Sequence, residues 1–141
     1  MASVSKTEIF DVEIEKIYSV IENYESYPDF VEGVSSINVL EQDDNGARVE
    51  YGLNFIKKFK YILALTHNKP TSVSWEFEKG DLFKKNTGSW QLKDLGDGTT
   101  EVTYSLDIEV KGFVPKKIIT KLTDTSLPSM MKSYRERAKN L

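Results

Sequence analysis

The chain contains no cysteine, and this absence excludes several kinds of chemistry at once. Without thiols it has no disulfide, no cysteine nucleophile and no cysteine-liganded metal. His67 is the only histidine among the 141 residues, so a histidine metal cluster is excluded too. Long apolar runs are also missing, since none approaches the ~20 residues that a membrane helix needs. We expect a cytoplasmic protein that holds no metal and no cofactor.

Motifs of nucleophilic catalysis and phosphate binding are missing as well. No G-x-S-x-G elbow occurs, and Gly96-Asp97-Gly98 lacks the spacing of a phosphate loop. His67 falls on the inward face of a predicted strand by alternation. It is either a general base or hydrogen-bond partner at a pocket mouth, or a strand-end histidine beside the turn at Pro70. We assign no catalytic residue.

Charge is divided unevenly along the chain. Residues 1–110 hold 11 Lys/Arg and 20 Asp/Glu, a balance of −9, whereas residues 111–141 hold 8 and 2, a balance of +6. The basic C-terminal segment either docks on the acidic body or offers an edge to an anionic surface, such as ribosomal RNA or lipid headgroups. The aromatic side chains alternate toward the interior, so we expect no DNA binding.

Alternation of apolar and polar residues predicts seven strands. It is clearest near the C-terminal end of the sheet, where Val102, Tyr104 and Leu106 share one face and Thr103 and Ser105 the other. Short turns join the last six strands, so these are expected to be antiparallel neighbours. The predicted strands cover residues 3–10, 36–42, 47–55, 59–67, 72–78, 86–93 and 99–110.

Helical spacing appears in two places. Asp11 is positioned to cap a helix over 13–23, and the apolar residues at 24–31 favour a second short helix or turn. After Pro115 a long amphipathic helix is predicted, with Pro128 inside it as a kink. Its apolar face carries Ile119, Leu122, Leu127, Met130, Met131 and Tyr134. An antiparallel sheet with segregated helices is an α+β fold.

Four stretches carry a resemblance to a known family: YPDFVEGV at 27–34, GSWQL at 88–92, GTTEVTYSLDIEV at 98–110 and MKSYRERA at 131–138. They resemble the START-like superfamily, which is also called SRPBCC, Bet v 1-like or helix-grip. Within this superfamily the chain is similar to the polyketide cyclase/dehydrase group, and within that group it is most similar to the coenzyme Q-binding and ribosome-associated toxin branch. The resemblance implies one domain over 1–141. In it, a curved seven-stranded antiparallel sheet (strand, two short helices, six strands) wraps around a long C-terminal helix and encloses an apolar cavity.

The resemblance also implies three functions. The first is non-enzymatic binding or transport of a hydrophobic small molecule, such as a lipid, a quinone or a polyketide-like compound. The second is a ribosome-associated interaction protein that uses the basic C-terminal helix, and the third is a polyketide cyclase or dehydratase. Extraction of no apolar ligand from the protein, together with a cavity below the ~300 Å³ of small-molecule pockets, would count against the first. The predicted cavity-lining residues are Tyr51, Leu53, Tyr61, Leu63, Trp75, Phe77, Trp90, Tyr104, Leu106, Leu122, Met130 and Tyr134.

Overall fold

The alternating segments form β-strands in the computed structural model, which describes residues 2–54, 57–112, 114–121, 123 and 127–141. Most strands extend one to three residues past the predicted limits, because backbone pairing continues where the side-chain alternation fades. Phe55, the predicted end of the third strand, lies outside the described residues. The strands are β1 Ala2–Phe10, β2 Val34–Asp43, β3 Gly46–Asn54, β4 Lys58–Asn68, β5 Ser72–Gly80, β6 Phe83–Asp94 and β7 Thr100–Val110.

The strands make one antiparallel sheet in the order β1-β7-β6-β5-β4-β3-β2. Each strand from β2 to β7 pairs with its neighbour in sequence, whereas β1 joins the far edge by pairing with β7. Register shifts interrupt the β2–β3, β4–β5 and β6–β7 ladders. Such irregularities bend strands and increase their twist. The predicted α+β fold with a curved seven-stranded antiparallel sheet is confirmed.

The chain passes from one edge of the sheet to the other through α1 (Ile14–Glu22), a 3₁₀ turn (Tyr24–Ser26) and α2 (Tyr27–Phe30). The predicted apolar stripe of α1 is buried, as its helical spacing requires. The predicted cap at Asp11 is wrong, because α1 begins later and Glu13 is its N-cap residue. Asp11 instead accepts a hydrogen bond from Lys139 Nζ at 2.8 Å, which ties the last helix to the end of β1.

Two helical segments are described after β7, α3 (Lys116–Thr120) and α4 (Leu127–Lys139), and both lie within the region predicted as a helix. The α4 helix packs against α1 and α2 and buries Met131 and Tyr134. Pro128 is the second residue of α4. The kink predicted there stays a prediction, because residues 124–126 lie outside the described residues. No described helix is long and apolar enough to cross a membrane.

The two faces of the sheet differ in polarity. Apolar residues of the inner face pack with α1 and α4 to form the core, in which Phe10, Ile17 and Val102 are fully buried. On the outer face, hydroxyl side chains of β1 and β7 bond across the strands, as Thr7 does with Thr103 at 2.8 Å. The inner face is therefore the surface on which a ligand site can form.

Candidate ligand cavity

A cavity of about 150 Å³ lies between the inner face of the sheet, the segment from α1 to β2, and α4. Strands β3 to β7 supply most of its wall, because their inward residues converge where the sheet curves. The lining side chains are Ile21, Tyr24, Tyr27, Val31, Glu32, Val34, Tyr51, Leu53, Tyr61, Leu63, Leu65, Val73, Trp75, Phe83, Asn86, Trp90, Tyr104, Leu106, Ile108, Lys121, Met130 and Tyr134.

Most of the predicted lining residues border this cavity; whether they contact a ligand stays a prediction. Phe77 is not in the wall, because it packs edge-to-face against Phe83, with ring centroids 6.2 Å apart, and Phe83 takes the wall position. Leu122 lies outside the described residues. The predicted residues in the wall are Tyr51, Leu53, Tyr61, Leu63, Trp75, Trp90, Tyr104, Leu106, Met130 and Tyr134.

The sequence pattern failed to single out a polar wall residue, Asn86. Asn86 is an even number of residues from Trp90 and Leu92 in β6, so it lies on the same face of the strand. The alternation could therefore have predicted an amide that points inward. The wall residues from Ile21 to Val34 were also missed. They belong to short helical turns, whose orientation toward the sheet has no periodic signal long enough to read.

Aromatic rings form a connected lining around the space. Tyr51 and Tyr61 stack with ring centroids 5.5 Å apart. Trp90 contacts Tyr104 on its own sheet and Tyr134 on α4, with centroids 4.8 and 4.7 Å apart. Such contacts join α4 to the sheet by large rigid surfaces, and they hold the cavity walls in place.

Polar atoms are few in the wall, and several have no protein partner. Trp75 Nε1–H donates to Asn86 Oδ1 at 3.0 Å. Within the described part of the chain, the hydroxyls of Tyr51, Tyr61 and Tyr104 make no hydrogen bond. Burial raises the pKa of each of these phenols, so all three remain neutral near pH 7.

The charged residues of the lining lie at its exposed rim. Glu32 follows α2, Lys121 follows α3, and the Glu32 carboxylate is 3.8 Å from Lys121 Nζ. Both side chains are solvent-accessible although they border the cavity. This ion pair therefore marks the mouth, while the interior wall is uncharged.

His67 is buried beside the cavity but does not line it. Its Nε2 is 2.7 Å from the hydroxyl of Tyr24, which does. Burial lowers the pKa of His67, against the opposing effect of Glu22 and Asp43, so the imidazole is neutral at pH 7. The arrangement favours the structural role for this histidine over a base at the cavity mouth.

The cavity volume limits what can bind. It is half of the ~300 Å³ at the low end of ordinary small-molecule pockets, and it matches an engineered apolar cavity of about 150 Å³ that takes up benzene. This size meets one of the two conditions that would count against a carrier of hydrophobic small molecules, and it is too small to enclose a whole lipid. Among the described residues, no group of three or more His, Asp or Glu is placed to hold a metal ion.

Residues 10–135 match the family model described as polyketide cyclase/dehydrase and lipid transport. The chain belongs to this family. Membership agrees with the sheet that grips a C-terminal helix and with the cavity between them, and it confirms the resemblance seen in the sequence.

Individual relatives are distant. The ribosome association toxin RatA of Pseudomonas aeruginosa is 24% identical over 128 residues, which cover 89% of this chain and 87% of that protein. A START superfamily protein from Mycobacterium smegmatis is 22% identical, with a TM-score of 0.83 over 98% of this chain and 97% of that one. A STAR-related lipid transfer protein from Xanthomonas axonopodis is 14% identical, with a TM-score of 0.80 over 96% and 84%. At these identities the structures show a common fold.

Proposed function

We propose that this protein binds a small, mainly apolar, uncharged molecule in the cavity between the sheet and α4. The observation that carries the proposal is the cavity itself, whose interior is lined by aliphatic and aromatic side chains. Burying an apolar ligand there removes hydrocarbon surface from water, which favours binding. Family membership supports the same function, since lipid transport is part of the family description.

The volume restricts the part of the ligand that can be enclosed. A space of about 150 Å³ accommodates roughly one six-membered ring. A longer molecule would leave through the mouth between Glu32 and Lys121, with only its terminal part inside. A cyclase or dehydratase is not proposed, because in the portion of the wall that the structure describes Glu32 is the sole carboxylate and there is no histidine.

The test uses toluene as a one-ring probe and the two tryptophans as reporters. Trp75 and Trp90 are the only tryptophans in the chain, and both line the cavity. Toluene is expected to shift both indole N–H resonances in a saturable NMR titration. The Val34→Phe variant adds a ring to the wall, so its toluene affinity should be lower by about tenfold, a loss of ~1.4 kcal/mol.

The matched control is Val39→Phe, the same change on the same strand outside the cavity wall. It is expected to leave the toluene titration unchanged. Indole resonances that do not move up to the solubility limit of toluene would refute the proposal. Equal loss of binding in both variants would refute the cavity as the binding site.

A second candidate function is association with the ribosome. The relative from Pseudomonas is named a ribosome association toxin, and α3 carries two exposed lysines, Lys116 and Lys117. Neither forms an ion pair within the residues that the structure describes. Most basic residues of α4, by contrast, pair with acidic residues, as Arg137 does with Asp29 and Lys139 with Asp11. This candidate therefore depends on α3.

A further inference from the structure

Asn86 places an amide in a wall that is otherwise mainly apolar. Its side chain is only 5% exposed, yet it borders the cavity. An indole N–H can donate a hydrogen bond but cannot accept one, so the bond from Trp75 fixes the amide oxygen toward the indole. The two N–H donors of the amide are thereby directed away from Trp75. They have no partner within the described part of the chain.

Tyrosine hydroxyls in the same wall also have hydrogen-bond donors without a protein partner in the described part of the chain. The Tyr104 ring lies 5.8 Å, centroid to centroid, from the Trp75 indole that donates to Asn86. Tyr61 lines the same cavity, and the Tyr104 phenol adds to the effect of burial in raising the pKa of Tyr61. Neither hydroxyl has a protein partner among the described residues. A buried donor without a partner is unfavourable, and a ligand atom that accepts its hydrogen bond removes that penalty.

We infer that Asn86 and the hydroxyls of Tyr61 and Tyr104 form a polar subsite that takes a neutral carbonyl oxygen of the ligand. The inference rests on the proposed function and specifies its ligand as an aryl or alkyl ketone, quinone or similar carbonyl compound. A carbonyl oxygen has two lone pairs in one plane, so it can accept from the amide and from a phenol together.

The charges around the cavity exclude ionised ligand groups from this subsite. Lys121 is the one cationic residue in the described lining, and it lies at the exposed mouth with Glu32. A carboxylate or phosphate in the interior would meet neutral donors but no counter-charge. Burial of an unpaired charge is far more costly than burial of a hydrogen-bonded neutral oxygen.

Gly88 and Trp75 position the amide. A Cβ at Gly88 would clash with the Trp75 ring and with the backbone carbonyl of Ser105. The absence of a side chain at Gly88 therefore lets the indole lie against β6, two residues from Asn86 on the same face. We assign Trp75 as a positioning residue, which acts on the ligand through the orientation of Asn86.

The test compares probes that differ only at the carbonyl. Acetophenone and α-methylstyrene have nearly the same shape, but the C=O of the first is a C=CH₂ in the second, and benzoate adds a charge. Dissociation constants are measured by NMR for the wild type, Asn86→Leu, Tyr104→Phe and the apolar control Leu63→Met. Loss of one hydrogen bond should raise the acetophenone to α-methylstyrene ratio of dissociation constants by about 2- to 10-fold.

The outcomes separate the two proposals. A raised ratio in Asn86→Leu or Tyr104→Phe, with an unchanged ratio in Leu63→Met and weak benzoate binding, supports the subsite. If α-methylstyrene binds but the ratio is unchanged in both variants, the subsite is refuted and cavity binding stands. If no probe binds the wild type, both proposals fail. Should Asn86→Leu not fold, Tyr104→Phe decides, since it removes a single hydroxyl.

Discussion

At the scale of single residues, burial decides whether a polar side chain is structural or available to a ligand. The ring of His67 lies beside that of Tyr24 and shares a hydrogen bond with its hydroxyl, 2.7 Å away. Nδ1 of His67 has no hydrogen-bond partner among the described residues, but it does not face the cavity. Asn86, Tyr61 and Tyr104 do line the cavity, and the amide N–H groups and both hydroxyls have no partner in the described part of the chain. The first pair contributes to the fold, whereas the second group has hydrogen-bonding capacity left over.

His67 should make stability depend on pH. Burial lowers its pKa below the usual 6.5, so the unfolded chain binds this proton more readily than the folded chain. The contribution of His67 to the free energy of unfolding should therefore be fully present above pH ~6.5 and decrease as the pH falls below it. Urea unfolding at about pH 7.5 and about pH 5.5 measures this decrease.

The matched variant for this measurement is His67→Gln, which retains a side chain that can bond to Tyr24. His67 is the only histidine of the chain, so the variant should lose less stability than the wild type between the two pH values. An identical loss in both proteins would show that another group is responsible.

Several individual residues could be predicted from the sequence, and some could not. The inward position of His67 follows from strand alternation, and so do Tyr51, Tyr61 and Tyr104. The interaction of Asp11 with Lys139 could not be predicted, because it joins residues 128 positions apart. Sequence patterns relate residues that are close along the chain. From such a pattern, an aspartate just before a helix is predicted to cap that helix.

At the scale of elements, β6 is the strand that organises the cavity. Among its inward residues, Asn86 supplies a polar group and Trp90 contacts Tyr134 of α4. Gly88, which has no side chain, leaves space for the Trp75 indole. The strand pairs with both β5 and β7, so it cannot shift without disturbing two ladders. Changes in its inner face are therefore expected to be costly.

Gly88→Ala tests this dependence on close contact. The added methyl group would overlap the Trp75 ring and the carbonyl of Ser105. Overpacking of this kind should reduce the free energy of unfolding by about 1–3 kcal/mol, measured by urea denaturation. Ser89→Ala, on the other face of the same strand, should change it much less. Equal stability of Gly88→Ala and the wild type would show that the indole can move aside.

Elements were predictable where they repeat a period over many residues. Alternation placed all seven strands, and the stripe of α1 was visible as helical spacing. The C-terminal segments α3 and α4 were predicted as helical for the same reason, since both carry apolar residues at helical spacing.

At the scale of the whole molecule, part of the uneven charge is paired within the fold. Arg137 and Lys139 of α4 pair with Asp29 and Asp11 of the acidic body, as one of the two predicted alternatives requires. The α3 lysines and Lys132 of α4 remain exposed, so the basic surface available to an anionic partner is smaller than the sequence balance of +6 suggests.

Ribosome association, if it occurs, should therefore depend on α3. Replacing Lys116 and Lys117 by Glu should reduce co-sedimentation with salt-washed bacterial ribosomal subunits, and added salt should reduce that of the wild type. Lys84 and Lys93, exposed on β6, give a control with the same change in net charge. Co-sedimentation that neither salt nor the α3 variant reduces would contradict an electrostatic contact at this helix.

The distribution of aromatic residues has an optical consequence. Six of the seven tyrosines and both tryptophans border the cavity. Nearly all the near-ultraviolet absorbance of this protein therefore comes from rings around one cavity. Near-ultraviolet circular dichroism depends on how rigidly such rings are held. The near-ultraviolet spectrum of the unlabelled protein should therefore differ between an empty, a filled and a collapsed cavity.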